Sequence, residues 1–236
     1  MTDVDFTEPI LPGSAPSDYE RYLRTEELLA LQKTLDEVAH RDELLFQTVH
    51  QTSELWLKLA AIEVEEAARL VSDRELAAAL RLLRRAHGCM QNVTAALDML
   101  EHMSPWEYTG LIRPVLGHGS GFDSPGFREV RRVSPLLGDA FHRHRRDVGL
   151  SLVDLYRNGR EHEELYQLAE ALTEWDERVT LWRVRHLKVI ERIIGGDVVG
   201  TQGTPVELLG RLIHKRLYPE LWDVRSELTR IANEGG

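Results

Sequence analysis

Two histidines occupy positions where an imidazole could carry chemistry. His50 lies one helical turn from Phe46, and His186 lies one turn from Trp182, each within a stretch of helical periodicity and on a stripe otherwise apolar or aromatic. Most of the other histidines lie among arginines and glutamates, as in residues 142–145, and are expected to be solvated. His50 and His186 are therefore either core histidines bonded to nearby carbonyl groups or ligands of a metal or cofactor.

The familiar metal and nucleophile motifs do not explain these two histidines. The sequence has no His-Glu-x-x-His zinc motif, no pair of Glu-x-x-His motifs of the di-iron type and no Gly-x-Ser-x-Gly hydrolase turn. Cys89 is the only cysteine, which excludes an intrachain disulfide, a cysteine zinc cluster and two-thiol attachment of haem. A cofactor held by one or two single histidines remains, and non-covalent haem between apolar helix faces fits that requirement.

The composition favours a packed soluble domain without a nucleic-acid or membrane partner. Of the 236 residues, 42% are hydrophobic and 29% are charged, as in an ordinary globular protein. The net charge of -10 gives no attraction for phosphate backbones or anionic lipid. The sequence shows no signal-like N-terminus and no apolar run near the ~20 residues of a membrane span. Together with the single cysteine, this predicts a cytoplasmic location.

The elements that would position the two histidines are helices. Hydrophobic periodicity predicts an all-α fold for residues 18–236, a single-domain bundle of long helices, preceded by an irregular arm over residues 1–17 that could lie on a neighbouring surface. If the two histidines serve haem, it would be bound between these helices. The predicted helices run from Thr25 through Leu35, from about Asp42 to about Leu70, from an N-cap at Ser72 and Asp73 to Met103, over shorter stretches within 127–158, from about His162 to Ile194, and over two last stretches, the second beginning at Pro219.

Two stretches rich in glycine and proline interrupt these helices. Residues 104–126 are predicted to lack regular structure over most of their length, and residues 200–205 form a second loop before the last two helices. A long loop inside a compact domain is usually functional. The first loop is therefore a candidate part of the site.

Five short motifs occur in an order that one known family shares. Residues 42–58, DELLFQTVHQTSELWLK, contain His50, and residues 19–23, YERYL, precede them. Residues 120–124, SGFDS, are followed by residues 181–195, LWRVRHLKVIERIIG, and by residues 200–203, GTQG. Together they resemble the distal helix, the Tyr-x-x-Tyr-Leu element, the Ser-Gly-Phe-Gln-Ser loop, the proximal helix and the Gly-Thr-Gly-Gly loop of the tryptophan 2,3-dioxygenases. The resemblance covers most of the chain.

The resemblance implies a role for each matching residue. His186 would be the axial ligand of iron in haem b, and its second ring nitrogen is expected to have a polar partner. His50 would accept a hydrogen bond from the indole N–H of the substrate, which makes it the candidate catalytic residue. The other cofactor-binding residues that the resemblance implies are Trp182, Ser120 and Gly121. The other substrate-binding residues are Tyr19, Tyr22, Leu23 and Phe46 around the indole, Arg113 at the carboxylate, Thr201 at the ammonium and carboxylate end, and Tyr108.

The chain also departs from the family's pattern. Asp123 replaces a glutamine, Phe127 replaces a tyrosine, and Gln202 with Thr204 and Pro205 replaces the more open Gly-Gly-Ser-Ser of the family loop. The segment between Phe127 and His186 is shorter than in the tryptophan-degrading enzymes by several tens of residues. These differences leave the substrate and the tetrameric assembly open, but not the haem.

By this resemblance the chain would use O2 to oxidise the indole of L-tryptophan or a substituted tryptophan, with an N-formylkynurenine as product. One alternative is a mono-oxygenating relative from secondary metabolism that adds a single oxygen atom to a tryptophan derivative, giving an oxindole or hydroxylated product, or to tyrosine. Another is a haem sensor or carrier without turnover, against which Arg113 argues, because a gas sensor needs no clamp for an amino acid. A homo-oligomer, either a dimer or a tetramer, is the expected assembly.

Overall fold

The protein is a helical bundle, as the periodicity predicts. The structure, a computed structural model, describes residues 8–234. In chain order the helices are α1 (Asp18–Leu23), α2 (Thr25–Leu29), α3 (Arg41–Ser72), α4 (Leu76–Leu100), α5 (Pro105–Glu107), α6 (Arg113–Val115), α7 (Pro125–Asp147), α8 (Leu152–Arg157), α9 (Glu163–Ile194), α10 (Glu207–Ile213) and α11 (Pro219–Glu234). A π-helical turn spans Tyr108–Ile112, and 3-10 turns span Gly121–Asp123 and Gly159–His162. Within residues 8–234 there is no β-strand, so the all-α prediction is confirmed.

Four long helices form the frame of the bundle. α3 packs along α4 and α7, and α4 packs in turn along α9. Each helix buries one stripe, because its hydrophobic residues recur three or four positions apart. The main core lies where these stripes meet, and its largest fully buried side chains include Trp175, Phe141, Leu83, Met90 and Leu137. Cys89 is buried in the same core.

A second, smaller apolar cluster lies at the end of the bundle that carries the two histidines. Its buried members are Val49, Leu97, Leu100, Met103, Ile112, Val189 and Ile193. Phe46, Tyr108 and Trp182 pack against it while remaining partly accessible. Trp182 also packs against the main core, so this side chain links the two apolar regions. α3 and α9 therefore contribute to the walls of one common region.

The start of α7 lies close against α3. A Cβ atom on Gly126 would lie 2.5 Å from the Cβ atom of Leu57, so only glycine permits this approach. The carboxylate of Glu54 caps the same end of α7: it accepts hydrogen bonds from the hydroxyl of Ser124 and from the N–H of Gly126, the latter at 2.8 Å. A negative charge at a helix N-terminus is also favoured by the helix dipole. Glu54 therefore anchors α7 to the helix that carries His50.

The N-terminal part of the chain differs from the prediction. Instead of one half-buried helix from Thr25 to Leu35, α2 ends at Leu29, and the leucines at 28, 29, 31 and 35 are exposed. Their spacing predicted a buried face, but no element among residues 8–234 covers it. The segment after α2 is attached to α3 by polar contacts instead, through the side chain of Gln32 and the backbone N–H of Lys33.

Three other predictions of local structure are wrong. Ser72 does not begin the third long helix, because it lies in the last turn of α3, where its hydroxyl donates to the carbonyl of Ala68. Residues 105–115 are not irregular: α5, the π-helical turn and α6 follow one another, and Ser104 caps the first turn. The shorter helices expected within 127–158 are largely one helix, α7, which continues through Pro135.

The boundaries of α3, α9 and α11 agree with the prediction to within one or two residues, and α9 ends before Gly195, which has a φ of 93°. α4 ends at Leu100, three residues before the predicted end at Met103. Residues 8–17 contain no helix, and residues 1–7 of the predicted arm lie outside the described residues, so the border of the arm stays a prediction. No helix in the described part of the chain is long and apolar enough to cross a bilayer.

Two glycine substitutions test the close approach of α7 to α3. Gly126→Ala should lower the free energy of unfolding by about 1–3 kcal/mol, because the new methyl group would overlap Leu57 and displace the Glu54 carboxylate. Gly88→Ala is the matched control: Gly88 lies in α4 with open space beside it, so alanine should raise that free energy by about 0.5–1 kcal/mol. Urea denaturation of both variants measures the difference, and equal effects would contradict the proposed crossing.

Candidate functional site

His186 is held by aromatic packing. Its ring stacks on Trp182, one turn earlier in α9, with 4.8 Å between ring centroids and an interplanar angle of 11°. The ring of Trp182 packs in turn against that of Phe127, with 3.9 Å between the ring centroids. Among residues 8–234, no hydrogen bond reaches either ring nitrogen of His186, so the expected polar partner is absent from that part of the chain. The ring is oriented by stacking, and both nitrogens are free to bind a ligand.

His50 has one ring nitrogen committed and one free. Its Nδ1 atom lies 2.7 Å from the carbonyl oxygen of Phe46, and because a carbonyl only accepts, Nδ1 must carry the proton. In the neutral ring Nε2 then has an unshared electron pair and acts as an acceptor. The ring also lies 4.0 Å from the ring of Phe46, which limits its rotation. His50 is therefore prepared to accept a hydrogen bond from a donor in front of it.

Both histidines are uncharged at neutral pH. Burial, with a smaller contribution from His50, lowers the pKa of His186 to about 4. Burial also lowers the pKa of His50, although its bond to Phe46 and the Glu54 carboxylate oppose the shift. His50 is nevertheless exposed. Its neighbour Val49 on α3 and Val189 on α9 belong to the second apolar cluster, and Phe46 and Trp182, the rings that contact the two imidazoles, pack against that cluster. The two imidazoles therefore border one open region between α3 and α9, which we call the cleft.

Tyr108 and Arg113 stand beside the same cleft. The ring of Tyr108 lies 5.9 Å from that of Phe46, and burial raises the pKa of its hydroxyl while the Arg113 guanidinium opposes the increase. Arg113 donates from Nη2 to the carbonyl oxygen of Val199 at 2.7 Å. The helical turns over 105–115 bring both side chains to this place. Arg113 thus connects the first interrupted stretch with the second.

The second stretch is a tight hairpin over residues 198–206. The N–H of Val206 donates to the carbonyl of Val198, and the N–H of Gly203 donates to the carbonyl of Gly200 at 3.0 Å, which closes a four-residue turn. Gly203 has a φ of 74°, a conformation that favours glycine. Thr201 and Gln202 form the tip of the hairpin.

The tip of the hairpin is bonded to the stretch 117–123. The hydroxyl of Thr201 donates to the carbonyl of Gly119, and Nε2 of Gln202 donates to Oδ2 of Asp123 at 2.7 Å. Ser120 begins the 3-10 turn Gly121–Asp123, and its hydroxyl and backbone N–H form a capping box with that turn. The two glycine-rich stretches, separate in the sequence, therefore form one joined rim beside the cleft.

Comparisons of the sequence with known proteins identify relatives of this chain. The profile of the family described as tryptophan 2,3-dioxygenase matches residues 11–146 and 131–228. The chain belongs to the tryptophan 2,3-dioxygenase family. A relative of that name from Caulobacter vibrioides is 33% identical, with 89% of this chain and 98% of the relative aligned. Relatives of the same name from Polaromonas sp. and Bacillus thuringiensis are 32% and 30% identical, over 92% and 89% of this chain and 90% and 92% of their own lengths.

Membership of the tryptophan 2,3-dioxygenase family identifies the chain as a haem-dependent oxidoreductase. The alignment with the Caulobacter vibrioides relative spans 261 positions, more than the 236 residues of this chain, so that relative contains residues that this chain lacks. The two profile matches overlap within α7, at residues 131–146. Both observations agree with the shortening expected between Phe127 and His186.

The cleft of this dioxygenase-family chain suits haem. A neutral imidazole with an unbonded ring nitrogen can bind a haem iron, and within residues 8–234 His186 provides one. Apolar side chains of the second cluster, among them Val49, Ile112 and Val189, lie beside the cleft. Among residues 8–234, Cys89 is buried in the main core, and the group of His, Asp and Glu side chains close enough to share a metal ion, His40, Asp42 and Glu107, includes neither His50 nor His186. His186 would therefore hold the haem, with Trp182 against its ring.

The structure leaves three of the predicted site residues apart from the cleft. Tyr19, Tyr22 and Leu23 are 68%, 77% and 45% exposed, and α1 packs on α2 and, through Asp18 and Arg21, on the preceding arm. Their role at the site stays a prediction. Conversely, Glu54 was not recognised in the sequence, although its position one turn after His50 places both side chains on one face of α3.

Replacement of each histidine should show which of the two binds the haem iron. His186→Ala should lose haem or bind it weakly, because the axial bond is the specific anchor of a cofactor otherwise held by apolar contacts. His50→Ala should retain a normal haem content, since this residue is not placed as the ligand. Haem extraction and the Soret absorption of purified proteins measure both effects. A full haem content with an unchanged Soret band in His186→Ala would refute the assignment.

Proposed function

We propose that this protein inserts both atoms of O2 into the indole ring of L-tryptophan or a substituted tryptophan and so yields an N-formylkynurenine. The observation that carries the proposal is the pair of neutral histidines in one cleft: His186 has free ring nitrogens, and His50 has a free Nε2 acceptor. The relatives named tryptophan 2,3-dioxygenase support the choice of substrate. The reaction needs no external reductant, because both oxygen atoms end in the product.

Haem b is the proposed cofactor, and when bound it would supply the iron at which O2 is activated. On this chain, His186 would hold the iron through its imidazole, and Trp182 would keep that ring in one orientation by stacking. Ser120 and Gly121 would approach the edge of the cofactor. Open space lies beside Gly121, since no described residue other than its chain neighbours has an atom within 4 Å of the position that a Cβ atom would take.

His50 would orient the indole. Its Nδ1–H is used by the Phe46 carbonyl, so Nε2 would accept the hydrogen bond from the indole N–H. That bond would fix the position and orientation of the indole ring in the cleft. Phe46 and Tyr108 would pack against the indole ring, because both rings line the cleft beside His50.

Arg113 and Thr201 would bind the amino-acid end. Arg113 uses one N–H for the Val199 carbonyl, which leaves further donors of its planar guanidinium for a carboxylate. Thr201 donates its hydroxyl hydrogen to the Gly119 carbonyl, so its oxygen can accept a hydrogen bond from the ammonium group of the substrate. The hydrogen bonds that join the rim would thus also decide which atoms of Arg113 and Thr201 remain available to the substrate.

A homo-oligomer in the cytoplasm is part of the proposal. The exposed aromatic residues of α1, Tyr19 and Tyr22, would contact a neighbouring subunit and could wall the indole there together with Leu23. α3 also exposes a row of large apolar side chains, which are Leu55, Trp56, Leu59 and Ile62. Burial of such a row in a dimer or tetramer would remove it from water.

One experiment distinguishes the proposed reaction from its alternatives. The ferrous, haem-loaded protein is mixed anaerobically with L-tryptophan, exposed to labelled O2, and the product is analysed by mass spectrometry. A gain of two labelled atoms supports the dioxygenase. A gain of one atom identifies a mono-oxygenase, and an unchanged tryptophan with reversible O2 binding identifies a carrier or sensor.

Replacement of His50 should slow turnover without removing the cofactor. His50→Ala should lower the rate by up to roughly 100-fold, because the indole would lose its positioning hydrogen bond. His50→Gln is the matched variant, since its carbonyl oxygen can accept the same hydrogen bond, and it should recover part of the rate. Steady-state rates at equal haem content measure the effect, and an unaltered rate in His50→Ala would refute this role.

Replacement of Arg113 should remove discrimination for the carboxylate. Arg113→Ala should weaken tryptophan binding by about 1.5–3 kcal/mol, the contribution of a charge-assisted hydrogen bond. Tryptamine, which lacks the carboxylate, should bind the variant and the wild type equally. Arg113→Lys should recover only part of the loss, because an ammonium group cannot form two parallel hydrogen bonds. Titrations followed by the haem spectrum test this, and equal affinity of the wild type for both ligands would exclude the carboxylate clamp.

A further inference from the structure

Two residues at which this chain departs from the family's loops contact each other. Asp123 stands where the resemblance gives a glutamine, and Gln202 stands where it gives a glycine. In the structure Nε2 of Gln202 donates to Oδ2 of Asp123 at 2.7 Å, although 79 residues separate them. The substitution at position 123 alone would not create this contact, because glycine at position 202 has no side chain to donate the hydrogen bond.

The Asp123 carboxylate is a fixed acceptor. Its Oδ2 also accepts the N–H of Ser120 at 3.2 Å and thereby closes the capping box of the turn Gly121–Asp123. The backbone carbonyl of Asp123 accepts a hydrogen bond from Arg128 at the start of α7. α7 is itself anchored to α3 by Glu54. Gln202 is therefore bonded to a part of the rim that is attached to the helical frame.

The hairpin has two attachments at its tip. Thr201 bonds to the Gly119 carbonyl, and the adjacent Gln202 bonds to Asp123. At its base, Val199 accepts from Arg113. A chain with glycine at position 202 would retain the bonds of Thr201 and Arg113 alone, and these are the two side chains that the proposed function assigns to the substrate.

We propose that Asp123 and Gln202 form a positioning pair that keeps the hairpin 198–206 closed on residues 117–123 before substrate binds. The pair would hold the Thr201 hydroxyl in place, so that its oxygen is ready to accept from the ammonium group of an amino acid. This role of Thr201 rests on the proposed function. Preorganisation of this kind raises affinity because less ordering is required when the ligand binds.

The first test is hydrogen–deuterium exchange of the hairpin amides in the haem-loaded protein without substrate. Gln202→Ala removes the hydrogen-bond donor, and Gln202→Glu places a second carboxylate beside that of Asp123, so that the two repel each other. We expect exchange over residues 198–206 to accelerate by roughly two- to tenfold in Gln202→Ala, the factor that corresponds to one hydrogen bond, and by more in Gln202→Glu. Peptides from α4 and α9 serve as the internal reference and should not change.

The matched control restores the pair with its polarity reversed. In Asp123→Asn/Gln202→Glu, the amide nitrogen introduced at position 123 can donate to the new carboxylate at position 202, but it cannot also accept from Ser120, because Oδ2 of Asp123 accepts both hydrogen bonds. We expect this double variant to exchange more slowly than Gln202→Glu by roughly two- to tenfold, the factor that corresponds to one hydrogen bond. Exchange as fast as in Gln202→Glu would overturn the pair, and so would unchanged exchange in both single variants.

The second test is ligand binding, which links the pair to Thr201. Gln202→Ala should weaken the binding of tryptophan and of tryptamine by the same factor, because it removes the donor without adding a charge and both ligands have the ammonium group that Thr201 would bind. Arg113→Ala should weaken the binding of tryptophan but not that of tryptamine. Faster exchange with unchanged affinity would overturn the role of the pair in positioning Thr201. If the wild type binds neither ligand, the proposed function fails, while the exchange results still decide whether the pair closes the hairpin.

Discussion

The carboxylate of Glu54 connects the two sides of the cleft. It lies one turn after His50 on α3 and receives the Ser124 hydroxyl and the Gly126 N–H at the start of α7. The next residue, Phe127, packs on Trp182, which stacks on His186. The orientation of the ring proposed to bind iron thus depends on how closely α7 approaches the helix of the opposite histidine. A shift of α7 would be transmitted to both imidazoles.

The aromatic side chains that surround His186 make the interior of the cleft apolar. Within residues 8–234, His186 has aromatic rather than hydrogen-bonded support, so no acceptor there increases the electron density of its ring. Phe127, which stands where the family has a tyrosine, adds no hydroxyl beside Trp182. Polar groups are concentrated instead on the rim, where Arg113, Thr201 and Asp123 lie. The apolar interior suits a cofactor and an indole ring, and the polar rim suits the charged end of an amino acid.

The sequence predicted the long helices and the two histidines because both depend on local periodicity. α3 and α9 bury stripes that recur three or four residues apart, and each histidine interrupts such a stripe. The leucines of 28–35 have the same spacing, but no partner among residues 8–234 covers them, so the predicted helix there was too long. The Asp123 and Gln202 contact could not be predicted, because both residues are polar, exposed and far apart in sequence. Only the fold brings them together.

Cys89 has a consequence for a protein that handles O2. The thiol is buried in the main core, and burial together with the Glu63 carboxylate raises its pKa, so that the reactive thiolate is scarce at neutral pH. Oxidation to sulfenic acid begins from the thiolate and requires access to the oxidant. The chain therefore offers oxidising by-products of turnover no accessible sulfhydryl, and it should tolerate aerobic handling without a thiol reductant.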